Sequence, residues 1–201
     1  MKASKGFYFL FAVLAILIGL YPLTYILTDF HSGYMEGKNR EIIIYAVWKI
    51  SFYIHILFGG IALLIGWSQF SEKFRLKNMQ MHRVIGKIYV VSALLSALSG
   101  IYIGYFAMGG IIAATGFVSL GLIWFYTTLK AYLDIRAKKI FEHEVMMIYS
   151  YAACFTAVTL RLWLPFLKIV FNDFETAYQV VAWWAWVPNL VVAYYIISNK
   201  K

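Results

Sequence analysis

The sequence has few acidic residues, few prolines and almost no cysteine. Among its 201 residues there are nine Asp and Glu side chains, three prolines and one cysteine, Cys154. A single cysteine excludes an internal disulfide and a site built from several thiolates. Only 13% of the residues are charged, well below the share that is usual in soluble domains. These shortages exclude a disulfide-rich secreted module, and the six apolar stretches given below leave only short connectors, which excludes a separate soluble catalytic domain.

Hydrophobic residues are abundant instead, at 63% of the chain with a mean hydropathy of +0.74. About 20 apolar residues are needed for a helix to cross ~30 Å of hydrocarbon. The sequence therefore predicts an all-α membrane protein, a bundle of six transmembrane helices that forms one membrane domain over residues 1–201. The predicted spans are 6–28, 42–70, 84–106, 111–133, 145–167 and 178–198.

The first apolar run follows Lys2 and Lys5 and could be mistaken for a secretory signal. It is too long for the apolar core of a signal peptide, and it ends in Tyr21, Pro22 and Tyr25 rather than in small residues. We expect this run to be retained as the first spanning helix.

Basic residues are distributed unevenly between the two sides of the predicted bundle. Three lie in the connectors of one side and thirteen lie at the termini and in the connectors of the other. The side that is richer in Lys and Arg is normally cytoplasmic, so both termini are predicted to be cytoplasmic. Because the basic excess follows the connectors, we interpret the net charge of +9 as a topology signal with some attraction for the lipid bilayer, not as a nucleic-acid surface.

Glycine and proline predict several local features of the helices. Gly109 and Gly110 suit a tight turn between the third and fourth spans. Gly59-Gly60 is the expected kink in the long second span, and Pro188 is the expected kink in the sixth. Gly100 and Gly104 have the spacing of a helix-packing pair.

Two ionisable residues are predicted to lie deep in the membrane. His55 is about 15 residues from the cytoplasmic end of its span and Arg161 about 16 residues into the fifth, so both are roughly 22–24 Å deep. Ser51, one turn before His55, could satisfy a neutral imidazole. Arg161 cannot lose its charge, so it should face a partner or an anionic ligand. Ionisable groups at this depth are usually functional.

His82 and His143 occupy equivalent positions at the cytoplasmic ends of the third and fifth spans. Each is predicted to precede its span by two residues, so the two lie at similar height. Tyr89, Tyr151 and Trp124 fall between these histidines and the deep pair, which suggests a polar column. The alternative interpretation is that His82 belongs to a basic topology loop and that His143, between two glutamates, stands at a helix start, where acidic side chains suit the dipole.

Several of these residues also occur in a recognisable pattern. The elements are His55, Gln69, the segment HRVIGKIYV, Gly109-Gly110, Trp124 with Thr127-Thr128, the segment HEVMMIYSY, and TLR ending at Arg161. Over residues 53–164 this pattern resembles a family of bacterial membrane proteins, domain of unknown function 2306. The resemblance implies an integral protein of the bacterial cytoplasmic (inner) membrane and supplies candidate residues, but no activity.

Three functions are compatible with these residues. The first is a redox protein that holds b-type haem or works beside a quinone or a membrane redox partner; His82 and His143 would bind the haem iron, while His55 and Arg161 complete the candidate cofactor-binding set. The second is a metal-dependent hydrolase in which zinc binds His82, His143 and a carboxylate from Glu72, Glu142 or Glu144. The third is a small-ligand carrier or accessory subunit in which Arg161 holds an anionic group.

Overall fold

Helices make up nearly all of the part of the chain that the structure, a computed structural model, describes: residues 5–27 and 46–200. The helices are α1 (Lys5–Leu20), α2 (Pro22–Leu27), α3 (Ala46–Gly66), α4 (Glu72–Lys77), α5 (Met79–Tyr105), α6 (Gly110–Arg136), α7 (Ile140–Cys154), α8 (Thr156–Phe171), α9 (Phe174–Trp184) and α10 (Val187–Ser198), with a 3-10 turn at Trp67–Phe70 after α3. The described residues contain no strand, so the all-α prediction is confirmed.

Six helical stretches in the described residues are long and apolar enough to cross a membrane, as the sequence predicts. They are Tyr8–Tyr25, Ala46–Phe70, Met79–Tyr105, Gly110–Arg136, Ile140–Phe171 and Phe174–Ser198. Most large apolar side chains on their outer faces are exposed, which is the surface that lipid would cover. The protein is therefore an integral membrane protein.

The centre of the bundle is a ring of four helices, α3, α5, α6 and α7, each packed against the next. Its core contains Leu63, Tyr89, Trp124 and Tyr151, all of them buried. Helix α1 packs on α3, α9 packs on α6, and α10 packs on α7, while α8 packs chiefly against α9. This arrangement surrounds a densely packed half of the bundle, at the end that carries His82 and His143, and a more open half beyond Trp124.

The turn between α5 and α6 has the conformation that its glycines predict. Gly109 has φ 84° and Gly110 has φ 67°, the left-handed region that glycine enters without a side-chain clash. The Gln179 amide donates a hydrogen bond to the Gly109 carbonyl at 3.0 Å. The turn is thus tied to α9, and α5 and α6 form a close antiparallel hairpin.

Helix breaks occur in the fifth and sixth spans and not at Gly59-Gly60. Helix α3 continues through Gly59 and Gly60 without a break and ends only at the 3-10 turn. A Cβ on Gly60 would lie 2.7 Å from the Gly19 carbonyl oxygen; this glycine allows α1 to approach α3. The fifth span breaks at Phe155, between α7 and α8, a break that the sequence analysis did not predict.

The break in the sixth span lies at Ala185 and Trp186, just before Pro188, which stands in the first turn of α10. This break is beside the one in the fifth span. The Thr159 hydroxyl donates to the Ala185 carbonyl at 2.6 Å, and the Asn189 amide donates to the Ala152 carbonyl at 3.3 Å. Side chains thus satisfy carbonyls that the interrupted helices leave free, as a helix break in lipid requires.

The orientation of the bundle can be tested with reporter fusions. The excess of basic residues in the connectors before α5 and before α7 predicts that both connectors are cytoplasmic. Fusions after Asn78 and Lys138 should therefore report a cytoplasmic location, and fusions after Gly110 and Asp173 the opposite side. A cytoplasmic signal from the Gly110 fusion would contradict the predicted topology, because the hairpin turn would then be inside.

Candidate functional site

A cavity of about 1170 Å³ lies among the spans in the more open half of the bundle. Most of its wall is aromatic or aliphatic. Its ionisable cations are Arg161 and Lys168, and His55 also lines it, whereas none of the described lining residues is acidic. The main aromatic residues are Tyr21, Tyr25, Trp48, Phe52, Phe117, Trp124, Phe174 and Tyr178. The cavity is thus a mainly apolar chamber with a positive polar site.

Arg161 reaches this cavity from the second turn of α8. Its Nη1 donates a hydrogen bond to the Ala157 carbonyl at 2.8 Å, and its Cζ lies 4.5 Å from the centroid of the Tyr21 ring. Such a cation–π contact stabilises a desolvated guanidinium without cancelling its charge. Within residues 5–27 and 46–200, no Asp or Glu forms a salt bridge with Arg161. The guanidinium therefore keeps donors available to a ligand.

His55 is held by α5 and not by the serine that the sequence analysis suggested. Its Nδ1 lies 2.8 Å from the Ser96 carbonyl oxygen, and the Ser96 hydroxyl donates to the His55 carbonyl at 2.8 Å. The expected partner Ser51 is therefore wrong. A carbonyl oxygen only accepts hydrogen bonds, so Nδ1 carries the proton and Nε2 has the free lone pair in the neutral ring. The cavity is thus lined both by an acceptor-bearing imidazole and by the Arg161 donors.

Gly100 makes room for this arrangement. A Cβ at position 100 would lie 2.8 Å from the His55 Nδ1 and 2.9 Å from its Cε1. The spacing of Gly100 and Gly104 predicts a packing residue between helices at position 100, but the neighbour that needs the space is the imidazole. His55 also lies within electrostatic range of Arg161, so α3, α5 and α8 jointly form one polar site.

His82 and His143 lie at the opposite end of the bundle, which we call the basic end: the end formed by α4 and the first turns of α5 and α7. Neither lines the cavity. Each is the fourth residue of its helix and donates its backbone N–H to the residue before that helix, at 3.1 Å for His82 and 3.0 Å for His143. Each histidine thus lies inside its helix and not two residues before it, because α5 and α7 begin at Met79 and Ile140, earlier than the predicted spans at 84 and 145.

The side chains of these two histidines differ in their hydrogen bonds. His143 Nδ1 lies 2.8 Å from the Ala131 carbonyl oxygen. His82 Nδ1 is buried and has no hydrogen-bond partner among the described residues. The two imidazoles lie within electrostatic range of each other, and His82 is also within range of Arg75 and Arg83. Glu144, one of the neighbours of His143, pairs instead with Lys200 at 2.5 Å.

The groups between the two ends form a local network and not a continuous column. The Tyr89 hydroxyl and the Ser150 Oγ are 2.8 Å apart, and Ser150 is 2.7 Å from the Thr128 Oγ1. Thr128 donates to the Trp124 carbonyl, while the buried Trp124 indole N–H has no hydrogen-bond partner among the described residues. Tyr151 bonds separately, to the Leu63 carbonyl at 3.0 Å. The described hydrogen bonds therefore tie α5, α6 and α7 together without linking His143 to His55.

Metal ligation in the described residues is limited to small sets of donors. No group of three or more His, Cys, Asp or Glu side chains lies close enough there to hold a metal ion. Glu142 and Glu144 flank His143 in the sequence without completing such a group. A zinc site with three protein ligands, as the hydrolase hypothesis requires, has no support in these residues.

Comparison with known families gives one match. The profile of a family described as predicted membrane protein, DUF2306, matches residues 52–197. This chain belongs to the DUF2306 family. The match covers most of the chain and includes His55, His82, His143 and Arg161. Comparisons with the curated proteins and with the solved structures give no match to this DUF2306 protein.

Several residues of the cavity were not singled out from the sequence as site residues. Tyr21 precedes the matched region, and its ring makes the cation–π contact with the Arg161 guanidinium. Ser96 and Gly100 position His55 from the neighbouring helix. The one feature of the sequence that could have indicated Ser96 and Gly100 is the row of small residues on one face of α5, which usually indicates only helix packing.

Proposed function

We propose that this DUF2306 protein binds a small amphipathic ligand in the cavity, with Arg161 holding its anionic or strongly polar group. The observation that carries the proposal is a permanent cation deep in a membrane protein with no acidic partner in the described residues. Keeping such a charge away from water is costly unless a counter-group compensates it. An anionic ligand supplies that group, which corresponds to the carrier or accessory-subunit role predicted above.

The rest of the cavity suits the apolar part of such a ligand. Ligand pockets are commonly apolar and aromatic, contain a few polar groups that orient the ligand, and have volumes of roughly 300–1,000 Å³. This cavity is slightly larger, at about 1170 Å³. Lys168, two turns after Arg161 on α8, adds a second cation to its lining. A ligand that combines a long apolar body with one negative group therefore matches both the wall and the charge.

A quinone-linked redox role is the second candidate, and one specific observation favours it. His55 Nε2 is an acceptor and Arg161 is a donor in the same cavity. A quinol donates hydrogen bonds and a quinone accepts them, so these two groups suit both forms of a quinone. This alternative predicts a neutral head group where the first proposal predicts an anion. A membrane redox partner belongs to this alternative only.

Binding of a matched pair of ligands tests the proposal. Detergent-purified protein is titrated with palmitate and with its methyl ester, which has the same chain and no charge. We expect palmitate to bind at least about tenfold more tightly, because a charge-assisted hydrogen bond contributes about 1.5–3 kcal/mol. Arg161→Leu should remove this preference. Extracts of the purified protein, analysed by mass spectrometry, should contain an anionic amphiphile.

Lys87→Leu is the control, since it removes an exposed cation of α5 that does not line the cavity. It should bind both ligands like the parent protein. Unchanged palmitate binding by a folded Arg161→Leu variant would contradict the proposal. Equal binding of palmitate and the ester, together with saturable binding of a short-chain quinone, would favour the quinone alternative.

A further inference from the structure

We infer that the cavity fills from the end of the bundle opposite the basic end, and that an anion passes Lys168 before it reaches Arg161. We call this opposite end the hairpin end: it is formed by the turn between α5 and α6 and by the start of α9. The inference rests on the proposed binding of an anionic ligand in the cavity. It adds the direction of entry and a second residue that contacts the anion.

The burial of the lining residues changes along the cavity. At its inner limit, Trp124 is 6% exposed and Cys154 is 5% exposed. At the hairpin end, Lys168 and Asn172 are exposed, and Phe174 is 38% exposed. A chamber whose wall is buried at one limit and exposed at the other opens at the exposed limit. The described lining therefore places the opening at the hairpin end.

Packed side chains separate the cavity from the basic end. No described residue of α4, or of the first two turns of α5 and α7, lines the cavity. On the basic-end side of Trp124 lie Tyr89, Ser150 and Thr128, which are buried and joined by hydrogen bonds of 2.8 and 2.7 Å. A ligand that came from the basic end would have to break this network. Entry from the hairpin end leaves it intact.

Helix α8 carries the two cations along one strip of the cavity wall. Arg161, Leu164 and Lys168 all line the cavity. Seven residues are almost two helical turns, or about 10.5 Å, so Lys168 lies that much nearer the hairpin end than Arg161. Arg161 folds back to the Ala157 carbonyl at 2.8 Å, whereas the Lys168 Nζ lies 5.6 Å from the centroid of the Phe174 ring. The two charges thus mark a deep and a shallow position on one path.

The charge of Lys168 faces the cavity although two acids follow it in the sequence. Asp173 caps α9, since its Oδ2 accepts a hydrogen bond from the Thr176 N–H at 2.7 Å. Glu175 lies in the first turn of α9, where the helix dipole favours an acid. Neither acid lines the cavity, and within residues 5–27 and 46–200 neither forms a salt bridge with Lys168. A cleft lined by charge of one sign concentrates ions of the opposite sign, so the ammonium group can attract an anion at the opening.

The reaction of single cysteines with charged thiol reagents tests the route. Leu164→Cys in a Cys154→Ala background places one thiol between the two cations of the full-length protein, in sealed membrane vesicles of either orientation. The probes are two membrane-impermeant reagents of opposite charge, sulfonatoethyl and trimethylammonioethyl methanethiosulfonate, and each rate is divided by that reagent's rate with a free thiol. We expect reaction only when the hairpin end faces the reagent. The normalised rate should be at least about tenfold higher for the anionic reagent.

Two further cysteines in the same background control for position. Phe166 is an exposed residue of α8 that does not line the cavity, so Phe166→Cys should place its thiol in lipid and react with neither reagent. Lys139 lies at the basic end, just before α7, so Lys139→Cys should react only in vesicles of the opposite orientation. This second variant also verifies the orientation of each preparation.

Variants of Lys168 separate its charge from its packing. Lys168→Gln should lower the normalised rate of the anionic reagent at Leu164→Cys at least about threefold, because the shallow cation is lost. Lys168→Arg keeps the charge and should keep the rate. Lys49→Gln is the matched control, since Lys49 lies in the first turn of α3 at the same end of the bundle and does not line the cavity. It should react like the parent variant.

Three results would overturn the inference. Leu164→Cys could react from the basic end, it could resist both charged reagents while the permeant N-ethylmaleimide reacts, or Lys168→Gln could leave the anionic rate unchanged. Palmitate titration in detergent measures the proposed function separately, because both ends are then accessible. A normal palmitate preference with entry from the basic end would refute the route alone. Loss of that preference with labelling as expected would refute the proposed ligand alone.

Discussion

Replacing Gly100 with valine is expected to weaken ligand binding in the cavity about tenfold or more while the protein still folds. A Cβ at this position would lie 2.8 Å from the His55 Nδ1. The imidazole must then leave the Ser96 carbonyl and move into the space that a ligand would use. Forcing extra methyl groups into a packed site costs about 1–3 kcal/mol, which corresponds to a factor of about ten to a hundred in affinity.

Gly86→Val is the matched control for this experiment. It makes the same change on the same helix, but the nearest atom to a Cβ there, the Gln69 Oε1, is 3.6 Å away. Palmitate titration of both variants, with size-exclusion profiles to verify folding, measures the difference. Equal affinities for the Gly100→Val and Gly86→Val variants would mean that the position of His55 has no influence on the ligand.

Replacing Gly116 with leucine should produce the largest loss of stability. A Cβ on Gly116 would lie 2.8 Å from the Ala182 carbonyl oxygen and 3.0 Å from its carbon. These are backbone atoms of α9, so no rotation of a side chain relieves the contact and the two helices must separate. We expect destabilisation by about 3 kcal/mol or more and little folded protein in detergent.

Thr115→Leu provides the comparison, because it adds an apolar side chain at the adjacent, exposed position of α6. Its thermal unfolding should remain close to that of the parent protein. If Gly116→Leu unfolds at the same temperature as Thr115→Leu, then the stability of the fold does not depend on the close approach of α9 to α6.

The helices were predictable because hydrophobic length is a local property of the sequence. Six apolar runs separated by polar connectors are sufficient to predict six spans, and Gly109-Gly110 is sufficient to predict the hairpin turn. Breaks inside spans depend on tertiary contacts instead. Phe155 interrupts the fifth span although no glycine or proline stands there. The contacts beside this break join residues far apart in the chain: Thr159 donates to the Ala185 carbonyl, and Asn189 donates to the Ala152 carbonyl.

The site was predictable only for residues that are unusual in a membrane. Arg161 and His55 stand out because charge at that depth is rare, and both lie in the cavity. The residues that position His55 are of ordinary types. Ser96 and Gly100 act through the distance between two helices, and a single sequence does not contain that distance. Ser51, the nearest hydroxyl one turn away, was the wrong partner for this reason.

The two adjacent breaks in the fifth and sixth spans have a mechanical consequence. They join α8 and α9, which pack against each other, to α7 and α10. Bending at Phe155 and Ala185 would disturb the contacts made by Thr159 and Asn189 and the close packing of α9 on α6 at Gly116, and would leave the Tyr89–Ser150–Thr128 network intact. The position of the Arg161 guanidinium in the chamber therefore depends on the packing of α8 against α9 and of α9 against α6, and not on helices that run unbroken from the basic end.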